Sequence, residues 1–273
     1  MKLTHTCTPR GVCFTDLIKK AKAKHIDRER KAIKSARFKL RAIVRKYLAH
    51  VGPNIARQVT HTRTLLGKAG ASDDEINRIL DSLSLDWEVL ASDMTPIIQR
   101  ILQDSGAEAL DQIDAVTARS LELVNARAVE YAKERAADLV TSISESTRNM
   151  LRSDVVDALE SGASNDTLAA TLEDNYAFSG SRAEVIARTE TAYADVQGNL
   201  DAYKISGVVE FKQWITGAGC CDLCDELNGE TIPLDDAFMT DDGEIDGPPY
   251  HPNCRCDVLP ITKETTEDST TDD

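Results

Sequence analysis

The sequence predicts a mainly α protein: an elongated helical body followed by a small, cysteine-rich α+β module near the C-terminal end. Three observations carry this. Alanine, leucine and charged residues dominate before residue 207, a helix-rich usage. Apolar residues in that part recur at helical spacing. After Gly207 the chain turns to β-branched and aromatic residues punctuated by glycine, proline and aspartate, and five of its seven cysteines fall there.

Taken in order, residues 15–50 read as one long helix without internal Gly or Pro. Ile26, Ile33, Leu40, Val44 and Leu48 recur at sevens and fours and form one apolar stripe. The segment carries thirteen Lys or Arg against Asp16, Asp27 and Glu29, within a chain of formal net charge −14. A basic segment on an acidic protein suits nucleic acid or an acidic partner surface, or is simply a solvated helix face. "VGPN" at 51–54 is expected to end the helix, because Gly and Pro both disfavour its continuation. A second helix is expected from Ile55 to Lys68. Ser72, with Glu75 three residues on, has the form of a capping box at the head of a third.

The longest helical region is predicted over Thr95–Leu159, with Pro96 in its first turn and Gly106 as a break or kink. "SGASND" turns the chain into a capped helix from Asp166. In the next helix Val185, Ile186, Thr189, Ala192, Tyr193, Val196, Leu200 and Tyr203 line one face, and Gly207 is a natural C-cap. "VVEFKQWIT" and "CRCDVLPI" read as strands. These signals divide the chain into a helical region at 1–94 containing the basic helix, a helical body at 95–206, a β-containing module at 207–262 and a disordered acidic tail at 263–273.

The chemistry lies in two short runs. Cys221 and Cys224 form a Cys-x2-Cys pair directly after a predicted strand. His251 and Cys254 form a second pair, with Cys256 two residues further on. Zinc is held by about four thiolates or imidazoles, commonly delivered as two such pairs from separate turns. The gap between the pairs holds the acidic insertion "DDAFMTDDGEIDG", which can loop out without moving the ligands. The module therefore reads as a zinc knuckle. Which four of Cys221, Cys224, His251, Cys254 and Cys256 bind is open. Cys220 has the poorer spacing. Competing readings are disulfides such as Cys221–Cys256, for a protein that ends up outside a cell, and unligated buried cysteines. A closed four-ligand site leaves no position for water, which favours structure over catalysis.

Elsewhere the signals are weak. His5, Cys7 and Cys13 are three potential ligands without a partner pair. His25, His50 and His61 stand singly in helical contexts, and Glu184 and Arg188 lie one helical turn apart as an ordinary ion pair. There is no phosphate loop, nucleophile elbow or dinucleotide fingerprint, so no catalytic residue is assigned. No apolar run reaches membrane-spanning length, and the N-terminus lacks the apolar core of a signal peptide.

The series "SRAEVIARTETAYADVQGNLDAYKISGVVEFKQWIT", "CDLC", "ELNGETIPLDDAF" and "PPYHPNCRCDVLP" resembles the phage Mu F-like minor head protein family, the head morphogenesis group that also includes the minor capsid protein of phage SPP1. The resemblance covers about residues 100–262 and is strongest from Arg182 to Pro260. It implies a minor capsid component that associates with the portal and other head proteins in few copies per virion. Head assembly and DNA packaging or ejection are its implied roles. The place implied is the virion head near the portal vertex, and the host cytoplasm during assembly, with no membrane. On the motifs, Cys221, Cys224, His251 and Cys254 match the family's cysteine/histidine cluster, Cys256 completes its "HPxCRC", and Arg188 and Glu190 match its "ARTE" segment. Under this reading the protein is structural and not an enzyme, and the basic helix 15–50 meets packaged DNA or an acidic portal surface. The alternative is a zinc-stabilised, HNH-like nuclease or other DNA-processing hydrolase. Such an enzyme needs a histidine base beside the structural cluster, yet His251 is the only histidine after residue 61.

Overall fold

A computed structural model describes residues 31–66, 72–81, 83 and 87–262. The first half of the basic segment, the N-terminal Cys7 and Cys13, the side chain of Glu75 and the acidic tail at 263–273 lie outside the described residues. The described chain is mainly helical with a small sheet region near its C-terminal end. The helices are α1 (Lys31–Leu66), α2 (Asp73–Asp81), α3 (Trp87–Gln112), α4 (Ala118–Glu160), α5 (Asn165–Asp174) and α6 (Gly180–Ser206), with a 3-10 turn at Tyr176–Phe178. Then come β1 (Val209–Ile215), a short α7 (Asp222–Glu226), β2 (Thr231–Pro233), β3 (Phe238–Thr240), β4 (Gly243–Ile245) and β5 (Asp257–Thr262). No described helix is long and apolar enough to cross a membrane.

The helix boundaries differ from expectation at three places, each for a packing reason. The expected stop at "VGPN" does not occur: α1 continues through Gly52 and Pro53 to Leu66, and merges the two helices read from the sequence. Proline removes one backbone hydrogen bond and crowds the preceding turn. Here Val51, Ile55, Ala56 and Val59 are buried on either side of it, so core burial outweighs the local loss. Gly52 also has a positive role, because a Cβ there would stand 3.1 Å from the Phe178 ring. Likewise Pro96 is not in a first turn. α3 begins at Trp87, because Trp87, Leu90, Met94, Ile98, Ile101 and Leu102 form its buried stripe, while Pro96 is exposed. Gly106 does not break the helix either. The interruption comes at residues 113–117, where Asp114 adopts a left-handed φ of 52°.

The contacts divide the chain into two compact units, each assembled from separated stretches. One gathers Arg37–Ile98 and Glu130–Arg188. Within it Tyr47 packs on Trp87 with ring centroids 5.3 Å apart, and Arg152 donates to Asn77 Oδ1 at 2.7 Å. Arg182 is its most instructive buried charge. The guanidinium donates to Thr147 Oγ1 (2.9 Å), the Ala177 carbonyl (2.7 Å), Ser146 Oγ (2.8 Å) and the Ile143 carbonyl (3.2 Å). Burial pushes its pKa down, and the fan of neutral acceptors replaces the water it gave up. The sequence motif at this point is only an Arg after "FSGS", and nothing in it announces a buried cation.

The other unit gathers, among the described residues, 31–36, Gln99–Val129 and 189–262. In it α3 and α6 meet through small residues. A Cβ on Gly198 would lie 2.6 Å from the Leu102 carbonyl oxygen, and one on Gly106 would lie 2.6 Å from Val124 Cγ1. Beside this crossing Ser105 hydrogen-bonds Asp195. The expected apolar face of α6 holds in part: Val196, Leu200 and Tyr203 are buried, whereas Val185, Ile186, Thr189, Ala192 and Tyr193 are only half-buried. Between Arg182 and Tyr203 no residue of α6 is fully exposed, so it is enclosed on all sides and has no single face. Gly207 ends it with a φ of +67°, a conformation glycine adopts without strain. α5 is capped one residue earlier than a helix from Asp166 requires, by Ser164, whose hydroxyl accepts from the Thr167 amide at 3.1 Å.

β1 is central in a three-stranded antiparallel sheet of order β2-β1-β5, and β3 and β4 form a separate hairpin. β5 starts at Asp257, so Cys254 and Cys256 precede the strand expected to contain them. One hydrophobic cluster joins Ala109, Leu110, Val124, Val196, Leu200 and Tyr203 of the helices to Trp214, Phe238, Val258 and the three buried cysteines. Within it Lys212 is fully buried, its Nζ 5.6 Å from the Phe238 ring centroid and without a hydrogen-bond partner.

Gly198→Ala is expected to lower stability by about 2 kcal/mol, since the added methyl meets a main-chain carbonyl that cannot swing aside; a melting temperature within a degree of wild type would contradict the close crossing. Arg182→Lys keeps the charge but loses the fork of donors, and a loss on the order of 2 kcal/mol is expected from chemical denaturation.

Candidate metal centre

The two cysteine runs are 26 residues apart in sequence, and the sheet closes that gap. β1 and β5 are antiparallel, with Trp214 opposite Val258 and Ile215 opposite Asp257. The segment leaving β1 and the segment entering β5 therefore lie at the same end of the sheet. Gly217 lets them touch: a Cβ there would stand 2.4 Å from the Arg255 carbonyl oxygen, so any side chain would push the two loops apart.

Each loop presents its donors through local chain chemistry. Cys221 is the N-cap of α7 with extended φ and ψ, and its side chain makes no cap hydrogen bond, which leaves the sulfur free to face Cys224 one turn on. In "HPNC" the Cys254 amide donates back to the His251 carbonyl at 3.2 Å, and Asn253 has a φ of 66°. Proline followed by a left-handed asparagine is the residue pair a type II turn favours. The turn is pinned from outside by Thr189 Oγ1, which accepts from the Asn253 amide at 2.9 Å. Thr189 is the middle residue of the "ARTE" segment. The sequence motif singles out its neighbours Arg188 and Glu190, and helical spacing assigns Thr189 only to the apolar face of its helix. Arg188 pairs with Glu184 at 3.3 Å, and Glu190 is buried at the start of the cluster-bearing unit. Two residue types that favour turns, Pro252 and Asn253, were the available signal that this loop needed an anchor.

The donors converge in two overlapping triplets, Cys221–Cys224–His251 and Cys224–Cys254–Cys256, with all ligand atoms of each within 4.8 Å of one another. Cys224 belongs to both. His251 Nε2 lies 3.2 Å from Cys221 Sγ and 3.2 Å from Cys224 Sγ, and the Cys224 and Cys254 sulfurs are 3.7 Å apart. A tetrahedral zinc with bonds of about 2.3 Å to sulfur and about 2.0 Å to nitrogen sets its sulfur–sulfur edges at about 3.8 Å and its sulfur–nitrogen edges at about 3.5 Å. The observed spacings are close to these. His251 Nδ1 is 2.9 Å from the Pro252 carbonyl. Donation there leaves the Nε2 lone pair for the cluster, the outer partner that metal-bound imidazoles use. Cys220 is apart from both triplets, its thiol directed at Asp225 Oδ1 3.8 Å away.

The electrostatics are those of thiols crowded together. Burial pushes Cys224 up to about 12. Hydrogen bonding from Cys256, and backbone bonds from Cys256 and Tyr250, pull Cys254 down to about 5, while the same contact drives Cys256 upward. The backbone bond at Cys224 lowers Cys221. Burial acts against His251, but its bond to the Pro252 carbonyl and the neighbouring sulfurs raise it. A soft donor set of sulfur and imidazole in this arrangement is suited to zinc or an iron–sulfur centre rather than to calcium or magnesium. The arrangement could thus hold a metal ion, and the distances fit a tetrahedral one.

Residues 149–259 match the family model described as Phage Mu protein F like protein. Over that stretch the chain is similar to the Mu F-like family. The match supports a phage head morphogenesis protein. The Mu F-like stretch begins within α4 and ends within β5, so it contains "ARTE", both cysteine runs and the anchoring Thr189. No curated protein and no solved structure matches the chain.

Cys224→Ser, at the residue shared by both triplets, is expected to abolish binding of added zinc or cobalt, whereas Cys220→Ser leaves the metal stoichiometry unchanged. Metal analysis after gel filtration reads both, and equal losses would refute the placement of Cys220 outside the cluster.

Proposed function

We propose that this chain is a minor head protein that sits at the portal in few copies, where it serves head assembly and DNA packaging or ejection. Its role is structural and not catalytic. The Mu F-like match supports the head assignment. The convergence of five cysteine and histidine donors at one end of a three-stranded sheet supports a structural zinc, with ligands drawn from Cys221, Cys224, His251, Cys254 and Cys256. The zinc would cross-link the loop after β1 to the loop before β5, so that the sheet and its acidic hairpin form a rigid surface. A zinc bound only by such residues holds chain segments and supplies no open position for a substrate. A hydrolase reading would require a second metal or a histidine base, and no other histidine follows residue 61.

The observation that carries this reading is the joint presence of the family match and the donor cluster inside one core. Co-expression with the cognate portal protein tests it. The wild-type chain is expected to co-purify with the portal and with about one zinc per chain, and the Cys221→Ser/Cys224→Ser variant to lose both. Absence of the protein from procapsids and virions by mass spectrometry would overturn the head role. Metal-dependent cleavage of duplex DNA by the purified chain, lost in His251→Ala, would establish the nuclease instead.

A further inference from the structure

Two strongly charged surfaces of the described chain are of opposite sign, and each has an apolar centre. α1 carries nine Lys or Arg and no Asp or Glu over its 36 residues. At 3.6 residues per turn, Phe38, Ala42, Arg45 and Ala49 stack on one exposed face, and Lys39 and Lys46 run along its side. Phe38 is 70% exposed at the middle of these cations. The β3–β4 hairpin and its flanks, residues 235–246, carry Asp235, Asp236, Asp241, Asp242, Glu244 and Asp246, all exposed, with no Lys or Arg. Met239 at its centre is 63% exposed and pairs across the hairpin with Glu244. The cation beneath the hairpin, Lys212, is buried and reaches none of these carboxylates with a hydrogen bond.

We propose that the acidic hairpin of one copy docks on the basic face of α1 in a second copy. A methionine ringed by carboxylates fits a phenylalanine ringed by lysine and arginine in both sign and polarity. An exposed aromatic and a flexible thioether supply the desolvated centre, and the charges supply the rim. Copies of a chain with formal net charge −14 repel one another at a distance. Association therefore needs a contact in which the acid-free helix meets an acidic patch. The overall negative charge also opposes the other occupant of a basic helix, duplex DNA. Because the two patches differ, the contact is heterologous, and it closes as a pair only if each hairpin reaches the other copy's helix.

Sedimentation of the full chain at several concentrations tests this. Wild type is expected to self-associate at about 0.02 M salt and to weaken by tenfold or more at about 0.5 M. The hairpin variant D241K/D242K/E244K and the helix variant K39E/R45E/K46E should each stay monomeric at low salt, and an equimolar mixture of the two should associate again, because each reversed patch meets a complementary one. Restoration on mixing separates the effect from misfolding of either variant. A wild-type chain that is monomeric at low salt, or a hairpin variant that still associates, overturns the proposal. So does low-salt binding of duplex DNA, lost in K39E/R45E/K46E, by a wild-type chain that remains a monomer. Portal co-purification is a separate readout, so loss of self-association alone would leave the head assignment standing.

Discussion

The antiparallel pairing of β1 with β5 is the constraint on which the C-terminal part of the chain depends. It brings Ile215 opposite Asp257, and so sets the chain leaving one strand beside the chain entering the other. All five candidate ligands lie on those two segments. A strand pair of this length is weak on its own. Here Trp214 and Val258 are fully buried in the same cluster as Leu200 and Tyr203 of α6, so the helix that closes the cluster also holds the register. Slippage by one residue would turn Trp214 to the opposite face of the sheet.

Two backbone approaches complete the arrangement, and both depend on the lack of a side chain. Gly217 admits the Arg255 carbonyl, which joins the two ligand loops. Gly198 admits the Leu102 carbonyl, which lets α3 and α6 cross closely beneath the cluster. Thr189 then ties α6 to the His251–Cys254 turn through a single hydrogen bond. The three contacts link helices, loops and donors into one core, so the donor cluster is a part of the unit's packing and not an appendage to it. Hydrogen bonding from Cys256 gives Cys254 its lowered pKa, and burial gives Cys224 its raised one. A bound cation would take the place of the protons these sulfurs now contest.

Much of the candidate site was legible because its signals are local. Cys-x2-Cys places two sulfurs one helical turn apart whatever the fold, and the Pro-Asn pair in "HPNC" fits a tight turn in any context. The strand over "VVEFKQWIT" and the C-cap at Gly207 were legible for the same reason. What failed were judgements that set a local penalty against burial not visible in sequence. Pro53 looked like a stop because a proline costs a helix bond, yet four buried neighbours keep α1 intact. Gly106 looked like a kink because glycine weakens a helix, but its function is to let another helix approach. The face of α6 was misjudged because a helix enclosed all round has no amphipathic period to read. Arg182 was invisible for a similar reason, since three of its four acceptors come from a helix more than thirty residues earlier.

By itself, then, the sequence determined the helical majority of the chain, the donor types and their pair spacing, the charge contrast between the basic helix and the acidic insertion, and the resemblance to phage head proteins. Each of these is written in residue identity or in spacing along a single element. The tertiary structure decided which donors converge, that Cys220 is outside them, that Thr189 anchors their turn, and that glycines at 198 and 217 are contact points. These depend on atoms far apart in the chain brought within a few ångströms, and no local propensity encodes that distance.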